Sequence, residues 1–265
     1  MLLTINHTTA YDYDEPMRYG LQQVRLSPID THQQKVLDWS VNVEGGSVEL
    51  GFEDQYKNKT LLVQVDEGQT NIKITASGTV ETKDTSGILG RVYGAAPLWH
   101  FTQSTERTMP GKHIKRLAKR VVENGAELDS LHALSSDILQ QVPYQKSVTF
   151  ADTTAEAALI AGGGVCQDHT QIFVSAARLA GIPARYVSGY LLINGQIHQE
   201  ASHAWAEAHL EGLGWVGFDV SNSISPDERY VRLATGLDSN DAAPISGVRS
   251  GPATESMIVS LQVQQ

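Results

Sequence analysis

Residues 201–221 read ASHAWAEAHLEGLGWVGFDVS, and their spacing predicts a β-hairpin. One strand runs over 202–210, the turn over Glu211 to Gly214, and the return strand over 215–221. Side chains alternate across a strand, so Ala204, Ala206, Ala208 and Leu210 share one face. His203, Trp205, Glu207 and His209 take the other face. On the return strand Val216, Phe218 and Val220 lie together, with Trp215, Gly217 and Asp219 opposite. Closing the turn joins the two apolar sets into a surface on which helices can pack. It also carries Asp219 to within a residue or two of the position opposite His203, on the polar-aromatic face. A carboxylate beside an imidazole fixes the tautomer and stabilises the imidazolium, the third role in a catalytic triad. Glu207, on the same face, is expected to pair with a base such as Arg185.

A general base needs a nucleophile, and the chain holds one cysteine, in GGGVCQDHTQ at 162–171. Thr153 with Glu156 three residues on reads as a capping box for a short helix, AEAALIA, which Gly162 closes. Cys166 then opens a second helix with an apolar stripe of Val165, Ile172, Phe173, Ala176, Leu179 and Ala180, ended by Gly181 and Pro183. A helix N-terminus carries partial positive charge and unpaired N–H groups, which favour a thiolate and can receive an oxyanion. The glycines, Gly164 among them, allow a tight turn and let a substrate approach the backbone. His169 sits one turn into the helix and is expected to line the same cleft; Trp205 is expected to form a cleft wall.

Other readings of the stretch compete. A lone cysteine is often a buried core residue. The glycines precede no Lys-Ser/Thr, as a phosphate loop requires, and do not form a dinucleotide GxGxxG. Cys166, His198, His203 and His209 offer zinc-type ligands, but no CxxC, HxxxH or HExxH spacing organises them, so neither metal nor cofactor is expected.

Around this centre the chain divides by period. Five runs before residue 85 (LLTINHTTAYDY, QVRLSP, KVLDWSVNV, TLLVQVDE and NIKITASGTVET) predict strands of an antiparallel sandwich. From Pro110 the period becomes helical: HIKRLAKRVVEN turns Ile114, Leu117, Ala118 and Val121 inward, and LDSLHALSSDILQQV follows. The stretch from about 88 to 110 has no clean period and carries the expected boundary, giving a β-rich region at 1–100 and a helix-on-sheet core at 101–265.

With 30 acidic against 20 basic residues, the net charge of −10 argues against nucleic acid or an anionic membrane as partner. No run approaches the ~18 apolar residues of a membrane span, and the N-terminus lacks a signal-peptide pattern. With a single cysteine, this points to a cytoplasmic location.

GGGVCQDHT, GIPARYVSGYL and ASHAWAEAHLEGLGWVGFDVSN together resemble the core of the transglutaminase-like superfamily, the papain-related cysteine acyl-transfer enzymes. The match covers about residues 135–225, in the order Cys, His, Asp. Thr9 through Pro16, Val24 to Pro28 and the tail at 229–248 also resemble a bacterial subgroup described as transglutaminase-like enzymes or cysteine proteases. The resemblance implies an α+β fold, a β-rich N-terminal sandwich followed by a papain-like core of helices on an antiparallel sheet. It implies Cys166 as nucleophile, His203 as base and Asp219 as orienter. The substrate would be a peptide or protein amide, and the thioester would be resolved by water or, in a transglutaminase, by an amine. Water is the expectation, because the calcium-dependent transglutaminases are much larger. A non-enzymatic binding module is the third reading. Two departures stand out: Asp168 is followed by His169 and Thr170 where an aromatic and Ala are common, and Asp219 by Val220 where Pro is common. They bear on the substrate rather than on the mechanism.

Overall fold

The computed structural model describes residues 1–91, 96–251 and 253–265. Strands β1 (Leu2–Tyr13), β2 (Tyr19–Ser27), β3 (Gln34–Glu44), β4 (Gly46–Glu53), β5 (Lys59–Val65) and β6 (Asn71–Thr82) come first. A short β7 (Ile88–Gly90) and a 3-10 turn at Leu98–Thr102 lead to helices α1 (Lys112–Glu123), α2 (Leu128–Gln141), α3 (Ala155–Ala161) and α4 (Cys166–Leu179). Then follow β8 (Ala184–Leu191), β9 (His198–Gln199), β10 (His203–Leu210), β11 (Gly214–Phe218), β12 (Tyr230–Gly236), β13 (Ile245–Ser250) and β14 (Glu255–Gln264).

The antiparallel sandwich is present, built from sheets in the order β3-β6-β1-β14-β9 and β13-β2-β5-β4. Alternation produces its core: Leu3 and Ile5 of β1 meet Val24 and Leu26 of β2 and Ile72 and Ile74 of β6. The core sheet, β12-β8-β10-β11-β7, is antiparallel throughout. Helix α4 lies on its alanine face, where Phe173 stacks on Phe218 with ring centroids 4.9 Å apart. Helix α1 buries Ile114, Leu117, Ala118 and Val121, the set its period predicts.

The division at residue 100 does not hold in space. β13 pairs with β2, and β14 pairs with β1, so the last strands complete the sandwich. Conversely β7 pairs with β11 in the core sheet. Residues 92–95 of the expected boundary stretch lie outside the described residues. The sandwich also covers part of the core sheet's second face: Tyr190, Val231 and Leu233 join its apolar core. Hence every residue of β8 and β12 is buried. Asn58 clamps this interface, accepting from Thr235 N at 2.8 Å and donating to Thr235 O at 2.8 Å.

Three local expectations change. The cap of α3 is Thr154, whose hydroxyl accepts from Ala157 N, rather than Thr153. Glu156 instead caps α1, accepting from His113 N at 2.8 Å and Ile114 N at 3.0 Å. Leu179 is exposed, while Asp168 through Arg178 are buried all round, because α4 sits between α1, α2, α3 and the sheet.

Candidate active site

Helix α4 begins at Cys166 because the preceding turn is held from both sides. Asp168 reaches back to accept from Val165 N at 2.8 Å and from the Thr149 hydroxyl at 2.6 Å. The close return requires Gly164, where an added Cβ would lie 2.7 Å from Asp168 Oδ2. Gly162, at φ 69°, closes α3 in the left-handed region. The half-buried Cys166, which makes no disulfide, thus sits in the first turn of α4.

The hairpin brings His203 toward the same cleft as Cys166. Ala206 pairs with Phe218 and Glu207 with Gly217, a register that continues Asp219 opposite Trp205. His203 Nε2 then meets Asp219 Oδ2 at 2.6 Å, with the carboxylate fully buried. That oxygen also accepts from Tyr230 Oη at 2.6 Å and Asn222 Nδ2 at 2.7 Å. Asn222 N donates to the second oxygen at 3.2 Å. The Cys166 thiol lines the same cleft as the His203 ring. With Nε2 committed to Asp219, Nδ1 is the nitrogen left for sulfur.

The electrostatics follow from these contacts. Burial alone would lower the His203 pKa, but its hydrogen bond to Asp219 and the neighbouring Cys166, with the charges of both, push it up to about 10. Burial would likewise raise Asp219; the hydrogen bond and charge of His203, with Tyr230 and Asn222, outweigh it and hold the carboxyl below 3.8. Burial and then Asp219 push the Tyr230 hydroxyl up, so it stays a donor. The pair therefore rests as carboxylate and imidazolium across neutral pH.

Cys166 and His203 line one cleft of about 560 Å³, walled by Tyr144, Leu191, Ile193 and Asn222. Lys146 and Glu200, both lining the cleft, pair at 3.2 Å. The three expected substrate-binding residues lie elsewhere, which corrects that reading. His169 is fully buried: Nε2 donates to Val142 O at 2.7 Å and Nδ1 accepts from the Ser221 hydroxyl at 2.8 Å. Gly164 shapes the helix cap. Trp205 is buried and stacked on His203 with centroids 6.3 Å apart. Sequence reasoning missed Tyr230 and Asn222; Asn222, three residues after Asp219, carried an Asx-turn signal.

Arg185 and Glu207 do pair, Nε to Oε2 at 2.6 Å. Among the described residues no three His, Cys, Asp or Glu side chains gather as a metal-binding group. The same residues include no helix long and apolar enough to cross a membrane.

Residues 115–220 match the model of the transglutaminase-like superfamily, and residues 3–81 that of the bacterial transglutaminase-like N-terminal region. The chain belongs to the transglutaminase-like superfamily. An uncharacterized protein of Mycobacterium leprae is 25% identical over 274 residues, covering 98% of each chain. One of Mycobacterium bovis is 25% identical over 273 residues, covering 92% of this chain and 86% of its own. The crystal structure of a "Putative Cysteine Protease" from Cytophaga hutchinsonii superposes with a TM-score of 0.76 at 22% identity. It covers 100% of this chain and 91% of its own, and it shares the transglutaminase-like fold.

Proposed function

We propose that this member of the superfamily is a cysteine-dependent hydrolase that cleaves a peptide or related amide through a thioester on Cys166. The observation that carries the reading is that one imidazole, His203, bonds a buried carboxylate and lines the same open cleft as the lone thiol of Cys166. The description of the similar Cytophaga hutchinsonii protein as a "Putative Cysteine Protease" agrees with it.

In the reaction, Cys166 sulfur forms a bond to the amide carbon and the carbonyl electrons move onto oxygen. The N–H groups of the first turn of α4, which lack intrahelical partners, are placed to receive that oxyanion. Collapse breaks the C–N bond, and His203 gives its proton to the leaving amine. Asp219 holds the ring and balances its charge. Water then attacks the thioester, His203 takes the proton, and the acid leaves with the thiol restored. The cleft is open, so water can reach the thioester.

The test is incubation with a library of glutamine-containing peptides and peptide amides in ¹⁸O-water, with and without a competing primary amine, read by mass spectrometry. Acid products carrying ¹⁸O are expected. Products joined to the amine would make the protein a transglutaminase. Neither product, with Cys166 unmodified, would remove the enzyme reading in favour of a binding module.

A further inference from the structure

The carboxylate of Asp219 is loaded on one side. Its Oδ2 accepts from His203 Nε2 at 2.6 Å, from Tyr230 Oη at 2.6 Å and from Asn222 Nδ2 at 2.7 Å. Its Oδ1 accepts from Asn222 N at 3.2 Å. A carboxylate oxygen has two lone pairs, so three donors compete for the atom that faces the base. Anchoring the side chain needs no such crowding, because a donor on Oδ1 would fix it equally well. The crowding bears on His203.

Tyr230 is held in place by both layers. On β12 it pairs with Leu191 of β8, and the next residue, Val231, is buried in the sandwich core. Two residues on, Gln34 of β3 brackets Arg232, accepting from its N at 2.8 Å and donating to its O at 2.9 Å. The Tyr230 ring packs edge-on to Trp205 with centroids 5.4 Å apart and is buried. A hydroxyl fixed in this way cannot turn to another acceptor, and its short bond draws charge out of Oδ2. The other titratable groups around the pair are Cys166 and His169 on α4, Tyr144 ahead of α3, and Asp227 and Arg229 before β12. His169 is engaged with Val142 and Ser221, and Asp227 with Arg229. Among the described residues, Tyr230 and Asn222 are the donors that share Oδ2 with His203.

We propose that Tyr230 is a positioning residue of the acyl-transfer unit: its hydroxyl takes up part of the charge on Asp219 Oδ2 and so keeps the His203 imidazolium able to release its proton. The inference rests on the cysteine-hydrolase reading. A general acid works best when its pKa lies near the operating pH. His203 already stands high, at about 10, and a carboxylate free of Tyr230 would hold the proton harder still.

The test is NMR of the His203 ring in the substrate-free full chain, beside kinetics with a peptide amide. In Tyr230→Phe the proton between Nε2 and Asp219 should move downfield, and the ring midpoint should rise by roughly one pH unit. Circular dichroism should stay unchanged. A fluorinated tyrosine in place of Tyr230 is a stronger donor of nearly the same shape and should move both signals the opposite way, which lost packing would not do. If Tyr230→Phe does not fold, the fluorinated variant decides. In turnover, Tyr230→Phe should lower kcat on the order of tenfold with KM unchanged. A midpoint that stays put in both variants, shifts of the same sign in both, or a loss confined to KM would each overturn the proposal. The NMR signals need no substrate: a wild type that cleaves no amide yet shows these shifts would sink the hydrolase reading and leave the Tyr230 assignment standing.

Discussion

At the scale of single residues, Asp219 accepts from three side chains through one oxygen and lies fully buried, so its geometry is over-determined. Asp219→Asn should leave the fold intact, because Tyr230 and Asn222 still hold the side chain. It should nonetheless cut kcat on the order of 10³–10⁴-fold, since an amide holds the wrong tautomer and cannot stabilise imidazolium. Steady-state kinetics beside circular dichroism check this. Because Asp219 and Cys166 together raise His203, its ring should titrate near 10 by NMR, and in Cys166→Ala the midpoint should fall. The positions of Cys166, His203 and Asp219 were legible because each rests on local periodicity: a helix start and the parity of two strands. Trp205 and His169 were misplaced because parity names a face without saying what covers it. Tyr230 arrives from β12, on the far side of β8, and no local pattern connects it to Asp219.

At the scale of elements, the base depends on how closely two strands approach. Trp205 lies flat over β8 because residue 189 is glycine: an added Cβ would meet the Trp205 ring at 2.6 Å and would also collide with Val231 O. Gly189→Ala should therefore tilt Trp205, loosen the ring stacked on it, and lower both Tm and kcat. Overpacking of this kind costs about 1–3 kcal/mol. The Glu156 cap ties α3 to the start of α1, and Glu156→Ala should cost about 1 kcal/mol in denaturant unfolding. Its carboxyl is held below 4.5 by His113 and Ile114 against the opposing effect of burial. The contribution is thus complete above pH 4.5 and lost as pH falls through the depressed value. The hairpin was readable from alternation, as were β1 and β6. β4 was not, because Val48, Leu50 and Phe52 are exposed on a sheet edge and its residues show no buried face.

At the scale of the whole molecule, the sandwich and the core are one packed unit rather than two successive domains. Composition marked the change of period near residue 100, but pairing of β13 and β14 back to β2 and β1 is a long-range event invisible to local pattern. Asn58→Ala would leave Thr235 N and O unpaired between the layers. It should cost about 1–3 kcal/mol, seen as one lowered thermal transition rather than two separate ones. The elevated His203 pKa sets an upper pH limit: the pair's contribution is full below about 6.5 and lost as pH rises through about 10.

The central claim is that these layers hold Cys166, His203 and Asp219 as one acyl-transfer unit. Rapid-quench intact-mass analysis after mixing with an activated peptide ester tests it most directly. The account predicts an acyl adduct confined to the peptide containing Cys166, absent in Cys166→Ala and slowed in its turnover by Asp219→Asn. A folded protein with no adduct at Cys166, or one acylated and deacylated equally fast without His203, would contradict it.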